Sequence, residues 1–210
     1  GLYYALSKGH ADTVKAYMDG ILNLLQEKPL TEDQLTELLT AKDETGYPGL
    51  FCSLIEGHAD TVKAYMNGIL NLLQTKSLSA DQAIQLLAAK SDKGTPGLHC
   101  AFANGHTDTI KAYIDSILNL LQEKTLSSDQ AVQLLTAKDK NHCRGLYYAL
   151  RKGHANTVKA YMDGIHNQLE QTSLSSDQLT HWLGAEDLCG NSGLHLALRE
   201  GHADTVKAYI

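Results

Sequence analysis

The sequence predicts an all-α fold in which helical units of 48 residues stack one after another as an α-solenoid. A Gly-Leu pair stands at residues 1, 49, 97, 145 and 193, and a Gly-His pair stands at residues 9, 57, 105, 153 and 201. The step is 48 residues each time, without insertion or deletion. No useful length of the chain alternates apolar and polar residues, as a strand would. A unit of this size cannot bury its apolar face alone, so stacking must complete its core.

The composition narrows the classes of partner. Hydrophobic residues make up 43% of the chain and charged residues 20%, as in an ordinary folded soluble domain. No run approaches the roughly 18 apolar residues that would span a bilayer, so we expect no membrane partner. The net charge is −6 and the basic residues form no stripe, which argues against a nucleic-acid partner.

The repeat defines the predicted domain organisation. We expect one repeat domain over residues 1–210, with units at 49–96, 97–144 and 145–192. Residues 1–48 form a partial unit that lacks its leading turn, and residues 193–210 form a second partial unit. Because the chain starts inside a motif and stops inside a helix, we expect it to be a segment of a longer protein.

The first element of each unit is predicted to be a short helix. In the second unit, Leu50 and Leu54 lie four residues apart and flank the small residue Ser53. The other units keep a small residue at that position, which indicates close approach to a neighbouring helix. Gly57 follows the last turn, where glycine commonly ends a helix.

The second element is a longer predicted helix with one apolar stripe. Asp60 lies in its first turn, where a negative charge favours the helix dipole. The stripe consists of Val62, Tyr65, Met66, Ile69, Leu72 and Leu73. Gly68 interrupts it and costs about 1 kcal/mol relative to alanine, which indicates either a close neighbouring backbone or a kink. We expect a continuous helix of about 18 residues, ending near Lys76.

The third helix of each unit has the clearest start signal. Four capping boxes, in which a hydroxyl and a glutamine satisfy each other's backbone amides, occur at Thr31/Gln34, Ser79/Gln82, Ser127/Gln130 and Ser175/Gln178. We expect these helices to end near Lys42, Lys90 and Lys138, where a cation favours the helix terminus. Glycine and proline then predict tight turns at 43–48 and 92–96. The turns at 139–144 and 187–192 lack proline, and the former also lacks glycine, so we expect them to differ in shape.

The order of these residues resembles the ankyrin repeat. Leu50, Gly57-His58 and Val62 have the family's spacing, and Ala41-Lys42-Asp43 resembles its lead-in to the next unit. The resemblance covers roughly 33 of every 48 residues. It departs from the family in an extra glycine before the first leucine, although Thr95 could still cap with Pro96 at the first helical position.

The second departure is an insertion of about 15 residues, roughly 69–87, that adds the third helix. We expect it to change the curvature relative to ordinary ankyrin stacks. Long and nearly identical units also resemble those of large bacterial effector proteins, which would imply delivery into a host cell.

Positions that vary between units are the candidate binding residues. They are Thr45, Tyr47, Lys93, Asn141 and Asn191 in the turns, and Glu56, Asn104, Arg151, Lys152 and Arg199 in the pair before Gly-His. The ankyrin resemblance implies that the turn tips and the exposed side of the first helix face a concave groove where partner proteins bind. Unselected variation on a solvated surface is the alternative.

Histidine and cysteine residues predict no catalytic, metal or cofactor site. The Gly-His histidines lie one per unit, and helices 8–10 Å apart cannot bring them within the 2.0–2.3 Å that zinc requires, so we expect structural hydrogen bonds. His99, Cys100 and His106 form the densest group of soft ligands, but adjacent residues point to different faces. His142 and Cys143 lack an orienting acid. The four cysteines lie far apart, which favours free thiols in the cytoplasm or another reducing compartment.

The sequence therefore predicts a non-enzymatic module that binds a protein partner. Two alternatives stay open. The units could form a spacer, or a rod that self-associates head to tail through apolar ends. The segment could also be a non-catalytic part of a larger effector whose activity lies elsewhere.

Overall fold

The computed structural model describes residues 1–171 and 176–210, and the side chains of these residues other than 168–171, 176, 178, 179 and 181. All regular secondary structure in these residues is helical. The first helices of the units are α1 (Leu2–Ser7), α4 (Gly49–Glu56), α7 (Gly97–Asn104), α10 (Gly145–Lys152) and α13 (Gly193–Arg199). The second helices are α2 (Ala11–Glu27), α5 (Ala59–Gln74), α8 (Thr107–Gln122), α11 (Ala155–Gln171) and α14 (Ala203–Tyr209). The third helices are α3 (Glu32–Thr40), α6 (Ala80–Ala88), α9 (Ser128–Leu135) and α12 (Ser176–Leu183).

Packing between successive helices builds the core. Each first helix packs on the next first helix, and each second helix packs on the next second helix. The first and second helices of a unit also contact each other, whereas neighbouring third helices touch at only a few points. The predicted all-α class is confirmed. Among the described residues, no helix combines the length and apolarity needed to cross a bilayer.

Helix α4 begins at one glycine and ends next to another. Gly57 has a φ of 81° and ends α4, as predicted. Gly49 is the first helical residue, and a Cβ there would lie 2.8 Å from Leu6 Cδ1 and 3.2 Å from Tyr3 Cα. The extra glycine therefore lets consecutive first helices approach closely. Ser53 is fully buried and donates a hydrogen bond of 2.6 Å to the carbonyl of Leu6, which confirms the predicted contact at the small residue.

The predicted cap at Thr95 is wrong. Pro96 occupies the N-cap of α7 and Gly97 is the first helical residue, with no side-chain cap. Thr95 belongs to the preceding turn instead, because its backbone amide donates to Ser91 Oγ at 3.1 Å and its carbonyl accepts from the Ser91 amide at 2.9 Å.

The second helix is continuous through its glycine. Helix α5 spans 16 residues and ends at Gln74, two residues before the predicted end. All six predicted stripe residues are buried, none more than 8% exposed. A Cβ at Gly68 would lie 2.7 Å from Met18 Cβ in α2. The close neighbour that requires a glycine at this position is therefore a side chain. The sequence had suggested either a neighbouring backbone or a kink.

The described capping boxes are confirmed. Thr31 Oγ1 accepts from the Gln34 amide at 3.2 Å, and Gln34 Oε1 accepts from the Thr31 amide at 3.0 Å. The same pairs of bonds form at Ser79/Gln82 and Ser127/Gln130. The fourth box, Ser175/Gln178, falls outside the described residues and side chains.

A tyrosine of the second helix ties the third helix of the preceding unit to the core. Tyr65 donates to the carbonyl of Leu39 at 2.9 Å, and Tyr113 donates to the carbonyl of Leu87 at 2.8 Å. In the fourth unit Tyr161 donates instead to Trp182 of its own unit at 2.9 Å. Trp182 is 1% exposed and is a core residue.

The third helices end before the predicted lysines. Helix α3 ends at Thr40 because Ala41 adopts a left-handed conformation, with a φ of 35°. Ala89 does the same after α6, with a φ of 39°. The lysines then pair across the turn in isolated antiparallel bridges, Lys42 with Pro48, Lys90 with Pro96 and Lys138 with Arg144. They flank the turn and do not cap the helix.

The four turns share one shape, so the expected difference at 139–144 and 187–192 is wrong. The same isolated bridge closes each turn. Gly46 has a φ of 86° and Gly190 a φ of 76°, and His142 adopts the same left-handed region at 57°. His142 thus accepts an unfavourable backbone conformation so that the turn keeps its shape, at a cost of roughly 1–2 kcal/mol.

Candidate functional site

The Gly-His pairs form a joint between consecutive units. His106 Nε2 lies 2.9 Å from the carbonyl of Ile55, and His154 Nε2 lies 3.1 Å from the carbonyl of Ala103. A carbonyl only accepts, so each ring must carry its proton on Nε2. The ring also lies on the glycine of the preceding pair, since a Cβ at Gly57 would stand 2.8 Å from His106 Nδ1. His58, His106 and His154 thus make the predicted structural hydrogen bonds.

The joints separate the histidines from one another. His58 bonds to Ser7, one unit before the contact that His106 makes with Ile55. Among the described residues, no group of three or more histidine, cysteine, aspartate or glutamate side chains could hold a metal ion. His99, Cys100 and His106, the densest group of soft ligands in the sequence, therefore form no such metal-binding group.

A carboxylate organises each of three turns. Asp43 Oδ1 accepts from the Thr45 amide at 2.9 Å, the Thr45 hydroxyl at 2.8 Å and the Tyr47 amide at 2.8 Å. Partial burial alone would raise the pKa of this carboxyl, but the bonds from Thr45 and Tyr47 outweigh burial and lower it. Asp139 and Asp187 take the same role. In the remaining turn, Ser91 Oγ accepts from the Thr95 amide.

In two of these turns, the other carboxylate oxygen accepts a hydrogen bond from the first helix of the same unit. Tyr3 donates to Asp43 Oδ2 at 3.1 Å, and Tyr147 donates to Asp187 Oδ2 at 3.3 Å, each across 40 residues. Phe51 stands at the tyrosine position of the unit whose turn begins with Ser91 in place of aspartate. In this unit, the loss of the tyrosine hydroxyl on the first helix therefore accompanies the loss of the carboxylate at the start of the turn.

His99 occupies the same helix position in the third unit. It is 5% exposed, and its Nε2 lies 3.5 Å from Asp139 Oδ2. Its ring packs edge-on against Tyr148 at 4.7 Å, and Tyr148 donates to the same carboxylate oxygen at 3.2 Å. Burial lowers the pKa of His99, and the Asp139 charge offsets part of that effect. The imidazole is thus held close to an acid in a site that disfavours its charged form.

The predicted turn residues lie at the turns, but several side chains are used within the turn. Thr45 donates its hydroxyl to Asp43, and Asn191 donates its amide to both oxygens of Asp187. Tyr47 is half-buried, and its ring packs on Phe51 at 5.3 Å. Lys93 and Asn141 are exposed. Of this group, Lys93 and Asn141 keep the most side-chain surface for a partner.

The residues before Gly-His are exposed at the end of the first helix. Asn104 Nδ2 donates to the carbonyl of Ile55 at 3.2 Å, and Lys152 Nζ donates to the carbonyl of Ala103 at 2.8 Å, so both reinforce the joint. Arg199 pairs with its neighbour Glu200 at 2.8 Å. Glu56 and Arg151 are exposed, and no such bond joins them to the preceding unit among the residues that the structure describes.

The four cysteines are free thiols, as predicted. Cys143 is 4% exposed, and burial raises the pKa of its thiol. A raised pKa disfavours the thiolate that nucleophilic chemistry needs. The neighbouring His142 is exposed on the turn.

The sequence reasoning missed the aspartates at the turn. Asp43, Asp139 and Asp187 open three of the four turns, and that recurrence was the available signal. The tyrosine partners of Asp43 and Asp187 lie 40 residues earlier, a separation that no local pattern reveals. No protein-family model matches the chain, and no curated protein sequence matches it either.

Proposed function

We propose that the chain is an ankyrin-like α-solenoid of 48-residue repeats that serves as a non-enzymatic module for binding a protein partner. Rows of first and second helices, each packed on its successor, support the solenoid arrangement. Left-handed glycines at the end of the first helix and a closed turn before it support the ankyrin-like unit. The third helix is the added element.

One observation carries the binding proposal. The turns and first helices keep the same backbone from unit to unit while their exposed side chains change in size and charge. At the position before the Gly-His joint, Glu56 is acidic and Lys152 is basic. A uniform backbone that presents different side chains provides a rigid surface with a specific pattern, which is what partner recognition requires.

Affinity capture with matched variants tests this proposal. The surface variant carries Glu56→Lys, Arg151→Glu and Arg199→Glu, and the control carries Lys159→Glu on the exposed side of α11. We expect proteins captured by the wild type to be lost with the surface variant and kept with the control. Leu54→Ala, in the core, should instead cost about 2–5 kcal/mol of unfolding free energy. Equal capture by the surface variant and the wild type would refute this placement of the groove.

A rod that self-associates head to tail is the second candidate. The first unit exposes Leu24 (39%) and Tyr4 (67%), and a Cβ at Gly20 would meet nothing within 4 Å. The equivalent Gly68 is covered by Met18 of the preceding unit. Light scattering over a concentration series distinguishes the rod from a monomeric binding module. A mass that grows steadily with protein concentration supports the rod, and a constant monomer mass excludes it.

The setting of the module is also a proposal. Free thiols fit the cytoplasm or another reducing compartment. If the repeats belong to a bacterial effector, that compartment would be inside the host cell. Thiol labelling of the protein in its native cells tests this, since oxidised cysteines would contradict it.

A further inference from the structure

A cleft of about 520 Å³ lies between α3 and α6, beside the turns that follow these helices. It forms because neighbouring third helices touch at only a few points. Residues that line it include Lys42, Pro48, Leu50, Ile84, Leu86 and Lys90. Leu50 and Leu86 are buried below its surface and give it an apolar floor. It is separate from the turn tips and first-helix ends proposed above as the groove.

The charge of this cleft has one sign. Lys42 and Lys90 are both exposed at its rim, and no carboxylate lies among its lining residues. Four other clefts in the described part of the chain each contain at least one carboxylate. Lys42 also borders the cleft that contains Glu37 and Asp43, but no ion pair joins them among the described residues. Two cations therefore stand beside apolar surface without an acidic partner in the described part of the chain.

The chain itself fills the equivalent space 96 residues later. Arg144 stands in place of Pro48, and a Cβ at Gly184, the equivalent of Ala88, would overlap the Arg144 guanidinium. The space beside the third helix thus accepts one long side chain. Glu186 stands there in place of Lys90, whereas Lys138 keeps the position of Lys42, so one of the two rim charges reverses where the occupant is a cation.

We propose that the cleft between α3 and α6 binds a short segment of a partner protein in which an apolar side chain lies close to a carboxylate. The apolar side chain packs on Leu50 and Leu86, and the carboxylate lies between Lys42 and Lys90. Neighbouring helices pack about 8–10 Å apart and an extended chain rises about 3.3 Å per residue, so equivalent contacts recur about every three residues. Lys138 continues the series one unit later.

Selection from a random peptide library tests the proposal without a known partner. The probe is a displayed library of 12-residue peptides, selected on the 210-residue chain and counter-selected on the Lys42→Glu/Lys90→Glu variant. We expect the retained peptides to carry aspartate or glutamate within three residues of a large apolar residue. By fluorescence anisotropy, Lys90→Glu should weaken each such peptide by about tenfold, and added salt should weaken the wild-type complex. A selection that yields no peptide able to distinguish the two proteins would overturn the proposal.

A cleft-filling variant separates this site from simple charge attraction. Pro48→Arg combined with Ala88→Gly copies the residues found at 144 and 184, so this double variant should fill the cleft and reduce peptide affinity although it adds a positive charge. Stronger binding would show that charge alone attracts the peptides and would overturn the proposal. Circular dichroism confirms that each variant is folded.

Two controls complete the experiment. Lys93→Glu removes a nearby exposed cation outside the cleft and should leave affinity unchanged, as should Arg151→Glu on the proposed groove. Loss of binding with Arg151→Glu but not with Lys90→Glu would assign the peptides to the groove and overturn this inference alone. A single-stranded dT12 oligonucleotide serves as the competitor. If it displaces the peptides and itself binds more tightly to the Pro48→Arg/Ala88→Gly variant, the cleft would be assigned to nucleic acid and the choice of a protein segment overturned.

Discussion

The Gly-His joint and the turn hold the same units together by opposite means. At the joint the residues never change, because the histidine ring must lie on a glycine and reach a carbonyl 51 residues earlier. At the turn the residues change freely, yet the bridge and the left-handed residue are kept. Constant sequence at the joint reflects a contact between units, whereas constant shape at the turn comes from one hydrogen-bonding side chain at its start. Variation in sequence is therefore a poor guide to variation in backbone here.

The largest expected effect is at the joint glycine. Gly57→Ala would place a Cβ against the His106 ring at a φ of 81°, so it should lower the free energy of unfolding by about 2–3 kcal/mol. The matched control is Gly46→Ala in the turn, where φ is 86° but nothing lies within 4 Å, and the cost should be about 1 kcal/mol. Urea denaturation measures both. Equal costs would mean that the ring contact adds nothing to the backbone strain.

Removing the histidine should have the next largest effect. His106→Ala loses a hydrogen bond to Ile55 and the packing on Gly57, for an expected cost of about 1–3 kcal/mol. His10 is exposed, and residues 1–8 contain no earlier Gly-His pair for its ring to contact, so His10→Ala should be nearly neutral. Thermal unfolding of the two variants compares them directly. A comparable loss from His10→Ala would show that the histidine acts within its own unit.

A smaller, pH-dependent effect is expected where the turn meets His99. Burial lowers the pKa of His99 in the folded protein, so below pH of about 6.5 the unfolded chain binds a proton that the folded chain does not. The free energy of unfolding should therefore fall as the pH drops through this range. His99→Phe, which copies residue 51, should remove that contribution.

The matched control for this experiment is His195→Phe, because His195 is exposed at the same helix position. Urea denaturation between pH 5 and pH 8 gives the slope for each variant. If His195→Phe flattens the slope as much as His99→Phe, burial beside Asp139 is not its origin.

The smallest expected effect is within the turn itself. His142 adopts a φ of 57° where the other turns have glycine. His142→Gly should relieve that strain and raise the free energy of unfolding by up to about 1 kcal/mol, reduced by the greater entropy of glycine in the unfolded chain. Lys140→Gly in the same turn is the control and should not stabilise. A destabilised His142→Gly would indicate that the histidine side chain makes a favourable contact.

Local patterns predicted the local features. The buried stripe around Tyr65 and the capping box at Thr31 follow from spacing within one helix, and both are present. The end of the third helix was not predictable in this way, because the left-handed Ala41 is a residue that ordinarily favours continuing a helix. The shape of the turn at His142 was missed because the stabilising carboxylate, not the glycine, determines it.

The exposure of the candidate binding residues was easier to predict than their contacts. Glu56 and Arg151 are exposed as their variation suggested. Lys152, by contrast, bonds to a carbonyl 49 residues earlier, a contact that exists only once two units have packed. Side chains that bridge units cannot be distinguished from free surface residues by comparing the units alone.

The joint also bears on how such a chain changes length through recombination. The contact of His58 with Gly9 is repeated by His106 with Gly57. Deleting residues 58–105 would join Gly57 to His106 and place that histidine over Gly9, recreating a contact already present. Gain or loss of 48 codons in frame recreates this contact, so descendants of this gene can differ in number of units while each Gly-His joint stays the same.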